Sequence, residues 1–112
     1  PADSDPDDDH GHGTHVAGII GAITNNNTGV AGVSWYCKIM PVKVLDSSGS
    51  GWDSAIARGI NYAAANGAKI INMSLGGEVQ SATVQTAVNS AGNYGSSIAK
   101  HCAQFQDIPK SL

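Results

Sequence analysis

The chain of 112 residues carries nine Asp or Glu and six Lys or Arg, so its formal net charge is −3. Charged residues make up 13% and hydrophobic residues 41%, against about 25% charged in typical soluble domains. This composition predicts a compact domain and argues against a disordered chain. The sequence shows no basic patch with interleaved aromatic residues, so nucleic acid is not an expected partner. It also shows no apolar run of about 18 residues and no signal peptide, so a membrane is not an expected partner either.

The first ten residues are acidic and have no periodic apolar pattern, which predicts a loop. Asp3, Asp5 and Asp7 alternate along this stretch. Their carboxylates could converge on a hard cation such as calcium, because such ions prefer oxygen ligands. A solvated acidic run explains the same residues equally well, and both interpretations stay open.

A histidine between two glycines follows, in the segment from Gly11 to Ile20. Apolar residues at Val16, Ile19, Ile20 and Ile23 recur at helical spacing and predict a helix from near Gly13 to Ile23 or Thr24. The imidazole of His12 would then lie at the N-terminus of a tightly packed helix. A group placed there is presented by a rigid element.

The later elements predicted from spacing and turn residues alternate between strand and helix. They are a strand over Tyr36–Leu45 interrupted at Pro41, a helix from Asp53 or Ser54 to about Asn66 that stops at Gly67, an apolar strand over Lys69–Leu75, and a helix over Ser81–Ala91. The strand over Lys69–Leu75 reads as buried on both of its faces. This order predicts an α/β fold with parallel strands and no domain boundary before the tail.

The two cysteines, Cys37 and Cys102, do not fix a redox compartment. They could form a disulfide in a secreted protein, or remain free and buried. Cys37 lies in an apolar run, where a free thiol packs as a small hydrophobic group.

Two kinds of chemistry suit the histidine segment. His12 and His15 lie one helical turn apart and could ligate zinc, but a third ligand at supporting spacing is lacking and the glycines have no role in such a site. A neutral imidazole at a helix N-terminus can instead act as a general base, since the helix dipole disfavours its protonation. Such a base needs a carboxylate to orient it and a nucleophile to deprotonate.

Four motifs carry a family resemblance, in matching order and spacing. They are Gly11–Gly18, Val42–Asp46, Gly49–Gly51 and Ile71–Gly77. Together they resemble the subtilisin-like serine proteases, and most of all the thermitase-like members. The resemblance covers residues 3 to 88 or so and leaves 89–112 as a divergent tail, so residues 1–112 are interpreted as a partial catalytic domain. It implies the three-layer α/β fold of that family with its parallel sheet, present as a fragment.

The resemblance also implies roles for individual residues. His12 would be the general base of a serine endopeptidase, and His15 a structural residue of the helix. Two backbone segments would line a groove in which a peptide or protein substrate lies as an added strand. They are Gly49, Ser50 and Gly51 on one side and Ser74, Leu75 and Gly76 on the other.

Further family properties follow from the same resemblance. Calcium is expected as a structural cofactor, held by Ile23, Asn26, Thr28 and Val30, with a second site at Asp3, Asp5 and Asp7. Asn93, in the Ala-Gly-Asn sequence of residues 91–93, is a candidate donor to the oxyanion, although in the family this asparagine follows an apolar strand. An extracellular location is a family expectation.

Two parts of the catalytic triad have no matching motif in residues 1–112. An Asp-Thr-Gly or Asp-Ser-Gly sequence ahead of His12 and a Gly-Thr-Ser-Met-Ala-like sequence after it are both lacking. We therefore expect this polypeptide alone to be inactive. The alternative hypothesis is a non-catalytic remnant that binds peptides or calcium.

Overall fold

A computed structural model of the chain describes residues 7–23, 26–27, 29, 31–34, 36–76 and 81–100. In chain order the elements among these residues are α1 (His12–Gly21), α2 (Asp53–Ala65), β1 (Ile70–Met73), α3 (Ala82–Asn93) and β2 (Ser97–Lys100). They fall into two compact units, Pro1–Trp52 and Asp53–Leu112. The first unit holds α1 and the second holds the other four elements.

Helix α1 begins one residue before its predicted start. It follows Gly11, whose φ of 99° is a left-handed conformation that glycine adopts without steric cost. None of its ten residues is buried, and Ile19 is 46% exposed. The expectation of a tightly packed helix is therefore wrong for the described residues, because few of them cover its apolar stripe. His15 is exposed as well, so the burial expected for a structural histidine is not found.

The last backbone carbonyl groups of α1 accept hydrogen bonds from the segment that follows the helix. Val33 N donates to Ile19 O at 2.9 Å, and Ser34 N donates to Ile20 O at 2.8 Å. These bonds occupy carbonyl groups that the last turn of a helix leaves without partners. The same approach brings Gly32 so close that a Cβ there would meet the backbone nitrogen of Ala22.

The strand predicted over Tyr36–Leu45 is not present in the structure. The apolar pattern is there, but a strand needs a neighbour for its N–H and C=O groups. No described segment pairs with these residues, and Pro41 removes one donor. Cys37 in this segment is exposed, which corrects its interpretation as a buried thiol, and Cys102 lies outside the described residues.

Helices α2 and α3 form the core of the second unit. Their inward faces carry mostly small side chains, with Ile56, Ala57, Ile60, Ala63 and Ala64 buried on α2 and Val84, Ala87 and Ala91 buried on α3. Ser81 caps α3 by accepting a 3.3 Å hydrogen bond from Val84 N. Helix α2 ends at Ala65, one residue before its predicted end, and Gly67 just beyond it has the positive φ of 89° expected of a glycine stop.

Strands β1 and β2 pair in parallel, with Ile70 opposite Ser97 and Met73 opposite Lys100. The predicted α/β fold with parallel strands is thus confirmed. Burial of β1 on both faces is wrong, since Met73 is 4% exposed but Ile70 is 71% exposed. The described part of the sheet has two strands, and α3 lies between them in sequence. No helix among the described residues is long and apolar enough to cross a membrane.

Candidate active site

His12 is the first residue of α1, and its side chain is exposed. The ring of His10 lies beside it, with ring centroids 6.5 Å apart and the ring planes at 79°. Because His12 stands at the N-terminus, the positive end of the helix dipole is at its backbone. An accessible imidazole on a helix start can exchange a proton with a bound group.

The carboxylate of Asp8 holds the backbone before and after His12. Oδ1 accepts from His10 N at 3.0 Å and from Gly11 N at 2.8 Å. Oδ2 accepts from both the backbone N and the hydroxyl of Thr14, each at 2.7 Å. These donors, that of Gly11 first, hold the pKa of Asp8 well below its usual range.

The proposed substrate segment Gly49–Gly51 belongs to a loop that Asp46 closes. The Asp46 carboxylate accepts from the Ser48 hydroxyl at 2.6 Å, Ser48 N at 2.9 Å and Ser50 N at 3.0 Å. The Ser48 hydroxyl and then Ser50 N contribute most to lowering the pKa of Asp46. Backbone bonds from Asp46 N to Ser50 O and from Gly49 N to Asp46 O complete the loop.

Gly51 is the residue of this segment in which both backbone polar groups are unbonded to described residues. The bonds to Asp46 use the N–H of Gly49 and both polar backbone groups of Ser50. Neither the N–H nor the C=O of Gly51 is bonded to any described residue. A Cβ on Gly51 would meet Val44 O and lie 2.8 Å from Leu45 Cδ2, so this position requires glycine. An extended peptide could pair with Gly51 as a strand would.

His10 connects these two parts of the first unit. Its Nε2 lies 3.2 Å from the position that a Cβ would take on Gly49, while its ring neighbours that of His12. The structure therefore places the candidate base and one candidate substrate segment on either side of a single imidazole.

In the second unit, Ser74, Leu75 and Gly76 follow β1 directly. Ser74 and Leu75 are half-buried and Gly76 is exposed. The Ser74 hydroxyl accepts a 2.8 Å hydrogen bond from Asn72 Nδ2. These residues leave the carboxyl end of a parallel strand, where ligands of open α/β sheets commonly bind.

Asn93 is the last residue of α3 and is exposed. Asn93 precedes β2, which begins at Ser97, and the Ala-Gly-Asn sequence of residues 91–93 is the end of a helix here. The oxyanion role of Asn93 rests on the motif and stays a prediction.

The calcium ligands expected from the resemblance are only partly within the described residues. Asp3, Asp5, Thr28 and Val30 lie outside them, while Asp7, Ile23 and Asn26 lie within and are exposed. Lys43 Nζ lies next to Asp7 and donates to the backbone carbonyl oxygen of that residue at 2.9 Å. It also forms an ion pair with the Asp9 carboxylate at 3.2 Å. Across the described ranges, no three acidic, histidine or cysteine side chains cluster as a metal site.

Comparison with known proteins decides the family. The sequence model of the subtilase family matches residues 1–105. The chain belongs to the subtilase family. The match continues beyond residue 88, where the motifs recognised in the sequence end.

Several curated proteases are similar to this subtilase. Thermitase of Thermoactinomyces vulgaris is 55% identical over 94 residues, which cover 84% of this chain and 34% of thermitase. The thermophilic serine proteinase of Bacillus sp. (strain AK1) is 52% identical over 94 residues, 84% of this chain and 23% of that protein. Subtilisin Savinase of Lederbergia lenta is 48% identical over 95 residues, 85% of this chain and 35% of that protein. The chain thus spans between 23% and 35% of the length of these three relatives.

Sequence reasoning missed three contributors to the site in this subtilase, namely Asp8, His10 and Asp46. Asp8 and Asp46 act through contacts with nearby backbone and His10 through its ring, and such contacts leave no hydrophobic periodicity to detect. One signal was available: an aspartate shortly before a helix start, or ahead of a Ser-Gly turn, is a common acceptor for backbone N–H groups.

Proposed function

We propose that this subtilase supplies the general base and part of the peptide-binding groove of a serine endopeptidase. His12 is the base, and Gly49–Gly51 with Ser74–Gly76 are the groove segments. The observation that supports this most is the exposed His12 imidazole on the first turn of α1. The same unit contains Gly51, whose backbone groups bond to no described residue.

The chemistry assigned to His12 is proton transfer in acyl transfer. Its imidazole takes the proton of a serine hydroxyl as that oxygen attacks the peptide carbonyl, and later gives the proton to the leaving amine. A substrate peptide bonded to Gly51 as an added strand would bring its carbonyl group to the base in a fixed register. The substrate is therefore an extended peptide or an unfolded segment of a protein.

The experiment transfers residues 7–76 of this chain into thermitase in place of the matching segment. We expect the chimera to hydrolyse a chromogenic peptide, and His12→Ala in the chimera to lower kcat by roughly a millionfold, as for removal of such a base. His15→Ala, a matched histidine one turn along the same helix, should leave kcat within an order of magnitude. A folded but inactive chimera would contradict the proposal and favour a remnant that only binds peptide.

Residues 1–112 by themselves are proposed to be inactive, as one partial catalytic domain without a matching triad aspartate or serine. A fluorophosphonate probe, which reacts with activated serines, should fail to label this polypeptide. Stoichiometric labelling of one serine would overturn this part of the proposal.

A structural calcium ion and an extracellular location are further parts of the proposal, and both come from the family resemblance. Calcium should raise the midpoint of thermal unfolding of the chain if residues 23–30 or the acidic lead-in bind it. Magnesium at the same concentration is the control. An unchanged midpoint in calcium would remove this cofactor from the proposal.

A further inference from the structure

We propose that Asp8 is a positioning residue for His12, acting as a clasp across the segment that carries the base. The inference rests on the proposed role of His12. Asp8 touches neither the His12 ring nor a substrate in this assignment. It acts through the backbone of residues 10–14.

The clasp replaces an ordinary helix cap. Gly11 is the N-cap of α1 and has no side chain with which to accept a hydrogen bond. The third N–H of the helix, that of Thr14, would normally be satisfied by the N-cap side chain. Asp8 supplies that acceptor from three residues upstream, and its two bonds to Thr14 are both 2.7 Å long. Short bonds of this kind are typical of charge-assisted pairs.

The two carboxylate oxygens divide their bonds around His12. One oxygen holds His10 and Gly11, which precede the histidine, and the other holds Thr14, which follows it. The direction in which the His12 Cα–Cβ bond points is set by the backbone between these anchors. Rotation of that segment would break bonds at both ends, so the clasp limits it.

The neighbouring aspartate has a different partner and provides a matched control. Asp9 pairs with Lys43 Nζ at 3.2 Å, and among the described residues it accepts no hydrogen bond from the segment around His12. Asp8 and Asp9 are both exposed, and replacing either by asparagine removes one negative charge. An effect of Asp8 that Asp9 does not share is therefore due to the clasp and not to net charge.

The test is nuclear magnetic resonance on the 112-residue chain with Asp8→Ala, Asp8→Asn and Asp9→Asn. In Asp8→Ala we expect amide exchange at Thr14 to accelerate by about tenfold, the size expected for a lost hydrogen bond to a charged acceptor. The three-bond couplings that report the His12 χ1 angle should move toward rotamer averaging. Asp8→Asn, which keeps one acceptor oxygen, should recover part of both effects, and Asp9→Asn should show neither.

Circular dichroism of each variant shows that it is folded before its resonances are compared. If Asp8→Ala does not fold, Asp8→Asn gives the same comparison with a smaller expected change. A Thr14 exchange rate and His12 couplings that both Asp8 variants leave unchanged would overturn the proposal. None of these measurements depends on hydrolysis, so failure of the proposed endopeptidase function would be seen separately.

Discussion

The Ser96 hydroxyl donates a 2.6 Å hydrogen bond to the carbonyl oxygen of Ala68, which lies 28 residues earlier in the chain. Ser96 is 7% exposed and is the buried polar residue of the described core. Ala68 lies just ahead of β1 and Ser96 just ahead of β2. The bond therefore ties together the two points at which the parallel strands begin.

Replacing Ser96 by alanine should destabilise the second unit by about 1 kcal/mol, because the Ala68 carbonyl oxygen loses its hydroxyl donor in a partly buried place. Urea unfolding followed by circular dichroism measures this change. Ser97→Ala removes an exposed hydroxyl from the next residue and should change the free energy of unfolding by less than about 0.5 kcal/mol. Equal effects of the two substitutions would argue against a special role for the bond to Ala68.

Two glycines of α1 should respond to alanine in opposite directions. Gly18 has nothing within 4 Å of the position of a Cβ, whereas at Gly21 the Cys37 sulfur lies 2.6 Å from that position. Gly18→Ala should stabilise the helix by about 0.5–1 kcal/mol through its higher helix propensity. Gly21→Ala should instead lower stability by about 1 kcal/mol from crowding.

A double substitution isolates the cause of the Gly21 effect. Adding Cys37→Ala to Gly21→Ala removes the sulfur and should restore most of the stability that Gly21→Ala loses. Thermal unfolding followed at 222 nm gives all of these values. A Gly21→Ala loss that persists without the thiol would point to the Ile39 side chain, at 3.3 Å, as the obstacle.

Gly49→Ala should destabilise the first unit by about 1 kcal/mol or more. The residue has a φ of 79°, which alanine adopts at a cost, and His10 Nε2 lies 3.2 Å from the new methyl position. Gly76→Ala is the control, since nothing lies within 4 Å there and the backbone is not left-handed. The amide resonances of Ser48 and Ser50 should shift in the first variant only.

Acid should loosen the loop that Asp46 closes. The fold lowers the pKa of this carboxyl, so its stabilising contribution is fully present above the unfolded pKa of about 3.9 and is lost as the pH falls through the lower folded value. Amide exchange at Ser48 and Ser50, corrected for intrinsic rates, should therefore rise below about pH 4. Asp46→Asn should make the corrected rates nearly independent of pH; an unaltered pH dependence in that variant would contradict this explanation.

Ala91→Leu should cost about 1–3 kcal/mol, because Ala91 is 0% exposed and the added methylenes have no free volume. Gln85 on the same helix is exposed, so Gln85→Leu leaves the buried face unchanged and serves as the control. Chemical denaturation of both variants separates overpacking from a general effect of leucine. A tolerated Ala91→Leu would show that α2 and α3 can separate without loss.

Local signals predicted the helices better than the strands. Helix α2 was predicted to within about a residue at each end, since Asp53 and Gly67 mark its limits in the sequence. Strand β2 was missed because Ser97–Lys100 contains one β-branched residue and no alternation. The strand over Tyr36–Leu45 was wrong for the opposite reason: its residues suit a strand, but pairing depends on a neighbour that the local sequence does not reveal.

The residues of the candidate site also differ in how well local sequence signals predicted them. His12 was found from a motif, and its place on the first turn of α1 follows from the apolar spacing after it. The oxyanion role of Asn93 rests on three matching letters, which do not distinguish the end of a helix, where Asn93 lies, from the end of a strand. Asp8 and Asp46 depend on the path of a loop, which brings their carboxylates back onto backbone groups two to six residues away.

The parallel pairing of β1 with β2 has a consequence for synthesis on the ribosome. Ile70 and its partner Ser97 are 27 positions apart (97 − 70), and a parallel pair cannot be joined by a tight turn. The sheet can form only after residues 97–100 have left the exit tunnel, whereas α2 and then α3 emerge earlier. We therefore expect the nascent chain to dock its alanine-rich helices before its strands meet.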